Sequence, residues 1–323
     1  MLDKSGILSY LVSNEIQELI ILPTEQCNFR CTYCYEDFKM KRMSPETIQA
    51  IKKFLTRRVP QLKHLTISWF GGEPLLAKDI LLNISEHAQK LSTKNNLTSY
   101  LISITTNGYL LSPSIFNELV NVGITKYQIT LDGPKEIHNQ TRKKVNTEGS
   151  FDTVWNNLLA IKESNLNVFV TIRVHLFHEN LPYIPDFLEL LKKHFYSDQR
   201  FKILLKPIAQ FGGKNEEHPK IIEKSKHNKV IQPLEEIIHG KTAPRKNSNE
   251  LEICYAARPN SLVIRSDGSL GKCTVALNDE KNNIGYITND GTLKISQERL
   301  APWLKGLLTL NKSDLGCPKH SII

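Results

Sequence analysis

The sequence predicts an α/β fold in which helices flank a parallel sheet. Between residues 19 and 208, six apolar, strand-like runs alternate with amphipathic, helix-like segments. Most of the runs are apolar at consecutive positions, which is typical of strands that helices cover on both faces. Six strand–helix units are fewer than the eight that form a closed barrel.

The elements follow one another in a regular order. The strand-like runs are Leu19–Leu22, Leu65–Phe70, Leu101–Thr105, Tyr127–Leu131, Val168–Val174 and Phe201–Ile208. The helix-like segments cover residues 44–59, 77–92, 112–122, 150–164 and 180–194. Two of these helices have clear start signals, because Ser44-Pro45-Glu46 and Ser112-Pro113 each place a capping serine before a proline in the first turn.

The alternation ends after residue 208. Residues 211–253 are polar and rich in lysine, with one helix-like stretch at Pro219–His239, and residues 241–252 have the composition of a linker. A β-hairpin pattern follows, in which Ser261–Arg265 and Leu270–Cys273 flank a Ser-Asp-Gly-Ser turn. We therefore expect an N-terminal lead-in at 1–17, a core domain at 18–240, and a linker with a small domain at 241–323.

Composition and charge narrow the class of protein. A hydrophobic content of 40% and a charged content of 23% are ordinary for a globular protein. No apolar run approaches the ~20 residues that span a bilayer, and the N-terminus has no signal pattern, so we expect a cytoplasmic protein without membrane association. The net charge of +9 suits anionic cofactors, an acidic peptide or nucleic acid. Basic residues form no stripe interleaved with aromatic residues, which argues against nucleic acid.

Three cysteines lie within the eight residues Cys27–Cys34, directly after the first strand-like run. Three thiolates on a short loop can hold one soft metal centre, and an iron–sulfur cluster is its natural occupant. A structural zinc site needs four ligands, and no fourth Cys or His lies nearby in sequence. A disulfide framework is not expected in a chain of this length without a signal peptide.

This motif carries a family resemblance. CxxxCxxC with an aromatic residue, Tyr33, before the last cysteine resembles the signature of the radical SAM superfamily, in the branch of anaerobic sulfatase-maturating enzymes and peptide maturases. The resemblance implies a partial (β/α)6 TIM-like barrel and a [4Fe-4S] cluster on Cys27, Cys31 and Cys34. S-adenosylmethionine (SAM) would chelate the open iron beside Tyr33. Its reductive cleavage would give a 5′-deoxyadenosyl radical, with flavodoxin or ferredoxin as electron donor.

Two glycine-containing motifs follow the second and third strand-like runs. The first is Gly71-Gly72-Glu73-Pro74, and the second is Thr105-Thr106-Asn107-Gly108. By the resemblance, the first binds the amino group of SAM, with Glu73 as acceptor, and Thr106 and Asn107 lie near its ribose. Interpreted without the resemblance, both segments are turns that end a strand.

A third motif, Thr130-Leu131-Asp132-Gly133-Pro134, follows the fourth run, and Arg142 lies ten residues beyond Asp132. By the resemblance, Thr130 contacts SAM and Arg142 binds its carboxylate, a pairing that suits a planar guanidinium. Asp132 is equally well interpreted as part of the cofactor site, as a turn residue or as part of the substrate floor.

The C-terminal cysteines resemble a second known arrangement. Cys254, Gly268 and Cys273 match the CX9–15GX4C opening of the SPASM or twitch extension, and Cys317 stands where the final cysteine of that extension would be. The resemblance implies a truncated extension of a hairpin plus helix, with one auxiliary iron–sulfur cluster, most simply a [4Fe-4S] cluster, on the three cysteines. The alternative is three unrelated cysteines in a decayed extension. Sulfatase maturases carry an Asp after the cysteine that matches Cys273, and this chain has Thr274.

These resemblances predict a radical SAM oxidoreductase that acts on a precursor peptide. The expected product is a thioether or carbon–carbon cross-link in a ribosomally synthesised peptide, as made by a RiPP maturase. The alternatives are a radical SAM enzyme for RNA or a small molecule, and a zinc-stabilised binding protein without catalysis. The sequence identifies no general base among His64, His175 and His178; of the strand residues, Arg173 and His175 are those we expect to face a cavity.

Overall fold

The structure, a computed structural model, describes residues 9, 11–211, 220–240 and 253–323. Its backbone divides into two compact units. The first unit combines the described residues up to Gln26 with Phe38–Ser103 and with 253–323; the second combines Cys27–Asp37 with the described residues from 104 to 240. The predicted linker at 241–252 and most of the predicted lead-in lie outside the described residues.

Twelve strands have bounds in the described residues. They are β1 (Ile16–Ile21), β2 (Phe29–Cys31), β3 (His64–Trp69), β4 (Ser99–Thr106), β5 (Ile124–Thr130), β6 (Arg142–Lys144), β7 (Phe169–Leu176), β8 (Phe201–Pro207), β9 (Ser261–Ile264), β10 (Ser269–Gly271), β11 (Gly285–Ile287) and β12 (Leu293–Ile295). The six predicted runs correspond to β1, β3, β4, β5, β7 and β8.

Six of the ten helices in the described residues fall in the predicted helix-like segments, and the other four, at 135–141 and beyond residue 296, do not. The helices are α1 (Pro45–Arg58), α2 (Lys78–Lys94), α3 (Pro113–Asn121), α4 (Lys135–Thr141), α5 (Phe151–Glu163), α6 (Ile184–Leu191), α7 (His227–His239), α8 (Gln297–Thr309), α9 (Lys312–Gly316) and α10 (Lys319–Ile322). Short 3-10 turns cover Val59–Gln61, Pro74–Ala77, Leu181–Tyr183, Lys224–Lys226, Tyr255–Ala257 and Glu280–Asn282, and a π-helix covers Lys192–Tyr196. Ser44 and Ser112 cap α1 and α3 as predicted.

In the first unit, β1 is paired on both sides by parallel strands. Ile16–Ile21 pairs in register with His64–Trp69 of β3, and Glu18–Ile21 pairs with Ser261–Ile264 of β9. The remaining strands, β9 to β12, form antiparallel pairs in sequence order. The predicted C-terminal hairpin is therefore confirmed, and it continues the sheet that begins at β1.

In the second unit, β5, β7 and β8 are parallel neighbours. The expectation that such strands are apolar on both faces is wrong for β7. Its buried side chains are Val170, Ile172, Val174 and Leu176, and they alternate with the partly exposed Thr171, Arg173 and His175. Because side chains alternate between the faces of a strand, one face of β7 packs in the core and the other presents polar groups.

Four short strands were not predicted, namely β2, β6, β11 and β12. β2 and β6 form a separate antiparallel sheet, in which Phe29, Arg30 and Cys31 face Lys144, Lys143 and Arg142. Strands of three residues are too short for a recognisable hydrophobic period, so the pattern of the sequence does not indicate them. Within the described residues, no helix combines the length and the apolar character needed to cross a membrane.

Candidate functional site

The N-terminal cysteines lie on a loop of the second unit that β2 and β6 order. Cys31 ends β2, and the backbone N–H of Cys34 donates to its carbonyl at 3.1 Å. The Cys27 sulfur accepts a hydrogen bond from the backbone N–H of Phe29 at 3.3 Å. Burial raises the pKa of Cys31; burial together with the Cys31 thiolate raises the pKa of Cys34 to about 12. These sulfurs therefore need a metal centre or another cation beside them to become thiolates.

Tyr33, between the last two cysteines, connects this loop to three polar side chains. Its hydroxyl donates to Asp132 Oδ2 at 2.6 Å and accepts from Arg142 Nη1 at 2.9 Å. His175 Nδ1 lies 3.1 Å from the same hydroxyl, and the Tyr33 and His175 rings meet edge to face at 5.0 Å between centroids. The loop, the turn after β5 and the end of β7 thus share one hydrogen-bond network.

Asp132 is the anionic member of this network, and it is fully buried. Besides the Tyr33 hydroxyl, its Oδ2 accepts from Thr141 Oγ1 at 2.8 Å, and its Oδ1 lies 3.3 Å from His175 Nδ1. Burial opposes its ionisation, but the hydrogen bond and charge of His175 and the charge of Arg142 hold the pKa of Asp132 below its usual value. Asp132 is therefore a buried carboxylate with several donors and not merely a turn residue.

Two further buried side chains hold the Asp132 backbone. The N–H of Asp132 donates to His138 Nδ1 at 3.4 Å, and burial together with the charge of Arg142 lowers the pKa of His138 to about 3. Asn180 Nδ2 donates to the carbonyls of Asp132 at 2.7 Å and His175 at 2.8 Å. Sequence reasoning missed both residues, because neither belongs to a motif with a recognisable spacing.

Arg142 and Thr130 lie beside this network. Arg142 is buried, its guanidinium stands over the Phe29 ring at 5.6 Å, and its Nε has no hydrogen-bond partner within the described residues. Thr130 is buried at the end of β5, opposite Arg173 of β7 in the strand register. A buried guanidinium with a donor left over suits an anionic ligand.

The Thr-Thr-Asn-Gly segment adopts the predicted turn. Asn107 Oδ1 accepts from the N–H of Tyr109 at 2.9 Å, and Thr106 Oγ1 accepts from the N–H of Gly108 at 3.1 Å. Asn107 Nδ2 donates to Asn28 Oδ1 at 2.8 Å, which links this turn to the cysteine loop. The turn is confirmed, and a contact with the ribose of SAM stays a prediction.

The Gly-Gly-Glu-Pro segment belongs to the first unit. Gly71 has a φ of +106°, and a Cβ there would lie 2.3 Å from the carbonyl oxygen of Thr24. A Cβ at Gly72 would lie 2.5 Å from the carbonyl oxygen of Gln26. A larger residue at either position would therefore clash with the backbone that follows β1, so both glycines are needed for packing in addition to any contact with a ligand.

Glu73 of the same segment is fully buried. Its backbone N–H donates to the carbonyl of Gln26 at 2.9 Å, and its Oε1 accepts from the N–H of Leu75 at 2.9 Å, where Pro74 begins a 3-10 turn. The backbone of Glu73 is thus fixed against the residue that precedes the cysteine loop.

The first unit also brings the three C-terminal cysteines close together. Burial raises the pKa of Cys254, and the Cys317 thiolate raises it further. Burial raises the pKa of Cys273 as well, and both other thiolates add to that effect. The N–H of Cys254 donates to the carbonyl of Leu315 at 2.8 Å, just before Cys317. Gly306 of α8 permits this approach, because a Cβ there would lie 2.8 Å from the nitrogen of Leu315.

A single buried asparagine fixes the loop that carries Cys273. Asn282 Oδ1 accepts from the backbone N–H groups of Lys272 and Cys273, both at 2.9 Å. Its Nδ2 donates to the carbonyls of Cys273 at 2.8 Å and Ala276 at 3.0 Å. Asn282 was not identified from the sequence. All four of its partners are backbone groups, which every residue has, so no sequence motif indicates these bonds.

The zinc alternative gains no support from these arrangements. In the ranges that the structure describes, no three His, Cys, Asp or Glu side chains are arranged to hold a single metal ion. A four-iron cluster binds each thiolate through a different iron, so its cysteines stand farther apart than those of a mononuclear site.

Comparison with known proteins identifies the family. A family model described as the radical SAM superfamily matches residues 21–191, more than half of the chain. The chain belongs to the radical SAM superfamily. Membership implies a [4Fe-4S] cluster and SAM, and the residues fit both groups: Cys27, Cys31 and Cys34 supply three soft ligands, and the buried guanidinium of Arg142, with its available Nε, suits a carboxylate.

Curated relatives of this radical SAM protein include a sulfatase maturase and a GTP 3′,8-cyclase. A cysteine-type anaerobic sulfatase-maturating enzyme of Clostridium novyi is 25% identical in an alignment of 293 positions that covers 83% of this chain and 76% of the relative. A GTP 3′,8-cyclase of Desulforamulus reducens is 30% identical in an alignment of 189 positions that covers 56% of this chain and 53% of the relative. The chain thus spans about half the length of the cyclase.

Solved structures show the same fold. The structure of hexahistidine-tagged anSMEcpe with bound AdoMet has a TM-score of 0.67 at 21% identity, and the match covers 95% of this chain and 82% of that protein. Streptococcus suis SuiB bound to the precursor peptide SuiA has a TM-score of 0.63 at 15% identity, and the match covers 86% of this chain and 64% of that protein. The predicted α/β fold with a C-terminal extension is therefore confirmed.

Proposed function

We propose that this radical SAM protein modifies a peptide, and that it installs a thioether or carbon–carbon cross-link in a ribosomally synthesised precursor. The observation that carries the proposal is that contacts in the first unit join the three segments that carry Cys254, Cys273 and Cys317. The N–H of Cys254 donates to the carbonyl of Leu315 at 2.8 Å, and Tyr255 contacts Thr274. The likeness to anSMEcpe covers 95% of the chain, whereas the match to the cyclase covers 56%. Peptide-bound structures exist for both anSMEcpe and SuiB.

The residues that the SAM motifs supply have distinct roles in this proposal. Cys27, Cys31 and Cys34 would hold the [4Fe-4S] cluster, and together with SAM that group supplies a carbon radical able to abstract hydrogen. Glu73 would accept from the amino group of SAM, and Arg142 would bind its carboxylate. Other side chains and turns would surround these groups, namely Tyr33, Gly71, Gly72, Pro74, Thr106, Asn107, Thr130 and Asp132. The protein's contribution is orientation and exclusion of water.

The C-terminal cysteines would hold one auxiliary iron–sulfur cluster. When bound, this group supplies an electron acceptor, and with three protein ligands it keeps one iron open to a substrate thiolate. A cross-link removes two hydrogen atoms from the peptide, one as an abstracted atom and the other as a proton plus an electron. An auxiliary cluster in the same protein would accept that electron. For this reason the three C-terminal cysteines favour a cross-linking reaction.

Formylglycine formation is not the proposed reaction. Sulfatase maturases place a carboxylate directly after the cysteine that matches Cys273, and this chain has Thr274 there. The Thr274 hydroxyl lies 2.7 Å from the Tyr255 hydroxyl, and the Thr274 N–H donates to the same oxygen at 2.9 Å. A threonine hydroxyl cannot serve as a general base near neutral pH, whereas a carboxylate can.

A second candidate is a radical SAM enzyme for a nucleotide or RNA. The 30% identity to a GTP 3′,8-cyclase favours a nucleotide, although that match covers little more than half of this chain. The net charge of +9 is compatible with either substrate. One assay can separate the two candidates.

The test is a turnover assay with anaerobically reconstituted protein, SAM and a strong reductant. Each peptide encoded beside the gene, and separately GTP and RNA, is incubated and analysed by mass spectrometry. We expect a peptide product lighter by two hydrogen atoms, formed together with an equal amount of 5′-deoxyadenosine. A Cys254→Ala/Cys273→Ala/Cys317→Ala variant should still form 5′-deoxyadenosine but not the cross-link. Turnover of GTP or RNA with every peptide unmodified would overturn the proposal.

A further inference from the structure

Arg173 is a half-buried cation whose Nε is buried and has no hydrogen-bond partner among the described residues. It lies on the polar face of β7, between Thr171 and His175. In that part of the chain it makes no ion pair or hydrogen bond, and its Nε is completely buried without an acceptor. Burying a charged group without a partner costs free energy, so proteins rarely keep such a group unless a ligand completes it.

The surrounding charges do not compensate Arg173. Burial lowers its pKa, and the nearby guanidinium of Arg142 lowers it further. The Asp132 carboxylate acts on Arg173 from a distance, but its Oδ2 is engaged by Tyr33 and Thr141 and its Oδ1 lies beside His175. The Arg142 and Arg173 guanidinium groups therefore both lie within the electrostatic influence of the Asp132 carboxylate. The excess positive charge favours binding of an anion.

The same face continues as a cationic surface on the next strand. In the register of β7 and β8, Lys202 lies opposite Thr171 and Lys206 lies opposite His175. Both lysines are exposed, and within the described part of the chain neither has an ion-pair partner. Lysines at these positions attract an acidic ligand over a distance, while the half-buried guanidinium offers a fixed, forked contact.

An aromatic pair stands beside Arg173. Tyr35, which follows the last cysteine of the loop, acts electrostatically on Arg173, and its ring meets that of Phe211 edge to face at 5.6 Å. Where aromatic side chains exclude water from a guanidinium, a charge-assisted hydrogen bond to it is stronger. A phosphate would fit the charge as well, but the proposed substrate class carries carboxylates.

We propose that Arg173 binds a carboxylate of the peptide substrate, either an acidic side chain or the C-terminus, and is a specificity-determining residue of this enzyme. The inference rests on the proposed peptide-modifying function and assigns Arg142 to the carboxylate of SAM. One guanidinium thus serves the cofactor and the other the substrate. A preference for acidic peptides follows from this division.

The test is binding of the reconstituted, SAM-loaded protein to a synthetic peptide array. Each peptide is present with Asp or Glu, with Asn or Gln at the same position, and as a free acid or a C-terminal amide. Wild type is compared with Arg173→Gln, Arg173→Lys and, as a matched control on the same face, Lys202→Gln. The affinity for SAM and the iron content are measured on every variant.

Wild type should bind the acidic forms roughly 10- to 100-fold more tightly than the matched neutral forms, the range of a charge-assisted hydrogen bond. Arg173→Gln should abolish that preference with SAM affinity and iron unchanged, Arg173→Lys should keep part of it, and Lys202→Gln should change it by about 2-fold or less. The comparison of Asp or Glu with Asn or Gln tests a side-chain carboxylate, and the comparison of free acid with amide tests the C-terminal carboxylate.

Four outcomes overturn the proposal, and each has a different meaning. If Arg173→Gln keeps the acidic preference, another residue binds the carboxylate. If Arg173→Gln lowers the affinity for SAM, Arg173 serves the cofactor. If wild type binds peptides without regard to charge, the inference fails although the peptide-modifying function stands. Failure of wild type to bind any peptide while it binds GTP or RNA removes both.

Discussion

The two cysteine trios of this protein are ordered in different ways. Cys27, Cys31 and Cys34 lie on one loop, and Tyr33 within that loop reaches a buried polar network. The C-terminal trio is drawn from a segment before β9, the loop after β10 and the turn after α9, so its geometry depends on the packing of distant elements. The N-terminal trio is thus ordered by contacts within and around one loop, whereas the C-terminal trio is ordered by tertiary contacts between segments that are distant in sequence.

One device is nevertheless common to both regions. In each, a buried asparagine donates to two backbone carbonyls and accepts from at least one backbone N–H: Asn180 beside Asp132, and Asn282 beside Cys273. An amide side chain has two donor hydrogens and one acceptor oxygen, so it can satisfy several backbone groups of both kinds at once. Both loops are therefore held by side-chain bonding beyond the ends of their strands.

The largest effect should come from removing each trio in turn. We expect about eight irons per reconstituted wild-type chain, as two four-iron clusters, and about four in either triple cysteine-to-alanine variant. Only the variant of Cys27, Cys31 and Cys34 should lose SAM cleavage, because only that trio lies in the SAM motif. Iron and sulfide analysis with a 5′-deoxyadenosine assay measures both. About four irons in wild type, falling to zero in the N-terminal variant, would make the C-terminal trio vestigial.

Substitution of the two buried asparagines, Asn180 and Asn282, should have the next largest effect and should separate the two regions. Asn282→Ala and Asn180→Ala each leave several buried backbone groups without partners, so each should lower the free energy of unfolding by about 2–4 kcal/mol. Asn282→Ala should lose iron from the C-terminal trio alone, and Asn180→Ala should keep the full iron content. Urea unfolding and iron analysis check this. Equal iron loss in both variants would show that the regions are not independent.

The free energy of unfolding should depend on pH through His138 of the polar network around Asp132. The pKa of His138 is lowered to about 3 in the folded protein, so the unfolded chain binds the additional proton below its ordinary pKa of about 6.5. This contribution to stability is therefore complete above about pH 6.5 and is lost as the pH falls toward 3. Between about pH 7 and 5 the loss should be about 2 kcal/mol. Urea unfolding of wild type and His138→Gln measures it; an identical pH slope in the two would contradict the assignment.

The smallest expected change is that of Tyr33→Phe. The ring remains, but Asp132 and Arg142 lose a hydrogen-bond partner, so the free energy of unfolding should fall by about 1–2 kcal/mol while the iron content stays at the wild-type value. Tyr35→Phe is the matched control on the same loop. Equal destabilisation by both substitutions would mean that the Tyr33 hydroxyl contributes nothing particular.

Much of the fold follows from the sequence, because its signals are local. Hydrophobic runs and capping signals such as Ser44-Pro45 identify six strands and five helices, and the cysteine spacing identifies the metal loop. The sequence predicted only part of the buried network. It indicated that His175 and Arg173 face a cavity, but it did not indicate that His175 is hydrogen-bonded whereas the Nε of Arg173 has no partner among the described residues. Asn180 and Asn282 act on backbone groups, and a sequence contains no mark of which backbone groups need a partner.

The ladder between β2 and β6 has a consequence for the order of cofactor assembly. Three backbone pairs hold Phe29–Cys31 against Arg142–Lys144 through the protein's own hydrogen bonds. A loop that is already shaped by peptide groups does not need iron to fold, in contrast to small zinc domains that are unfolded without metal. We therefore expect the iron-free polypeptide to fold first and to bind its N-terminal cluster afterwards.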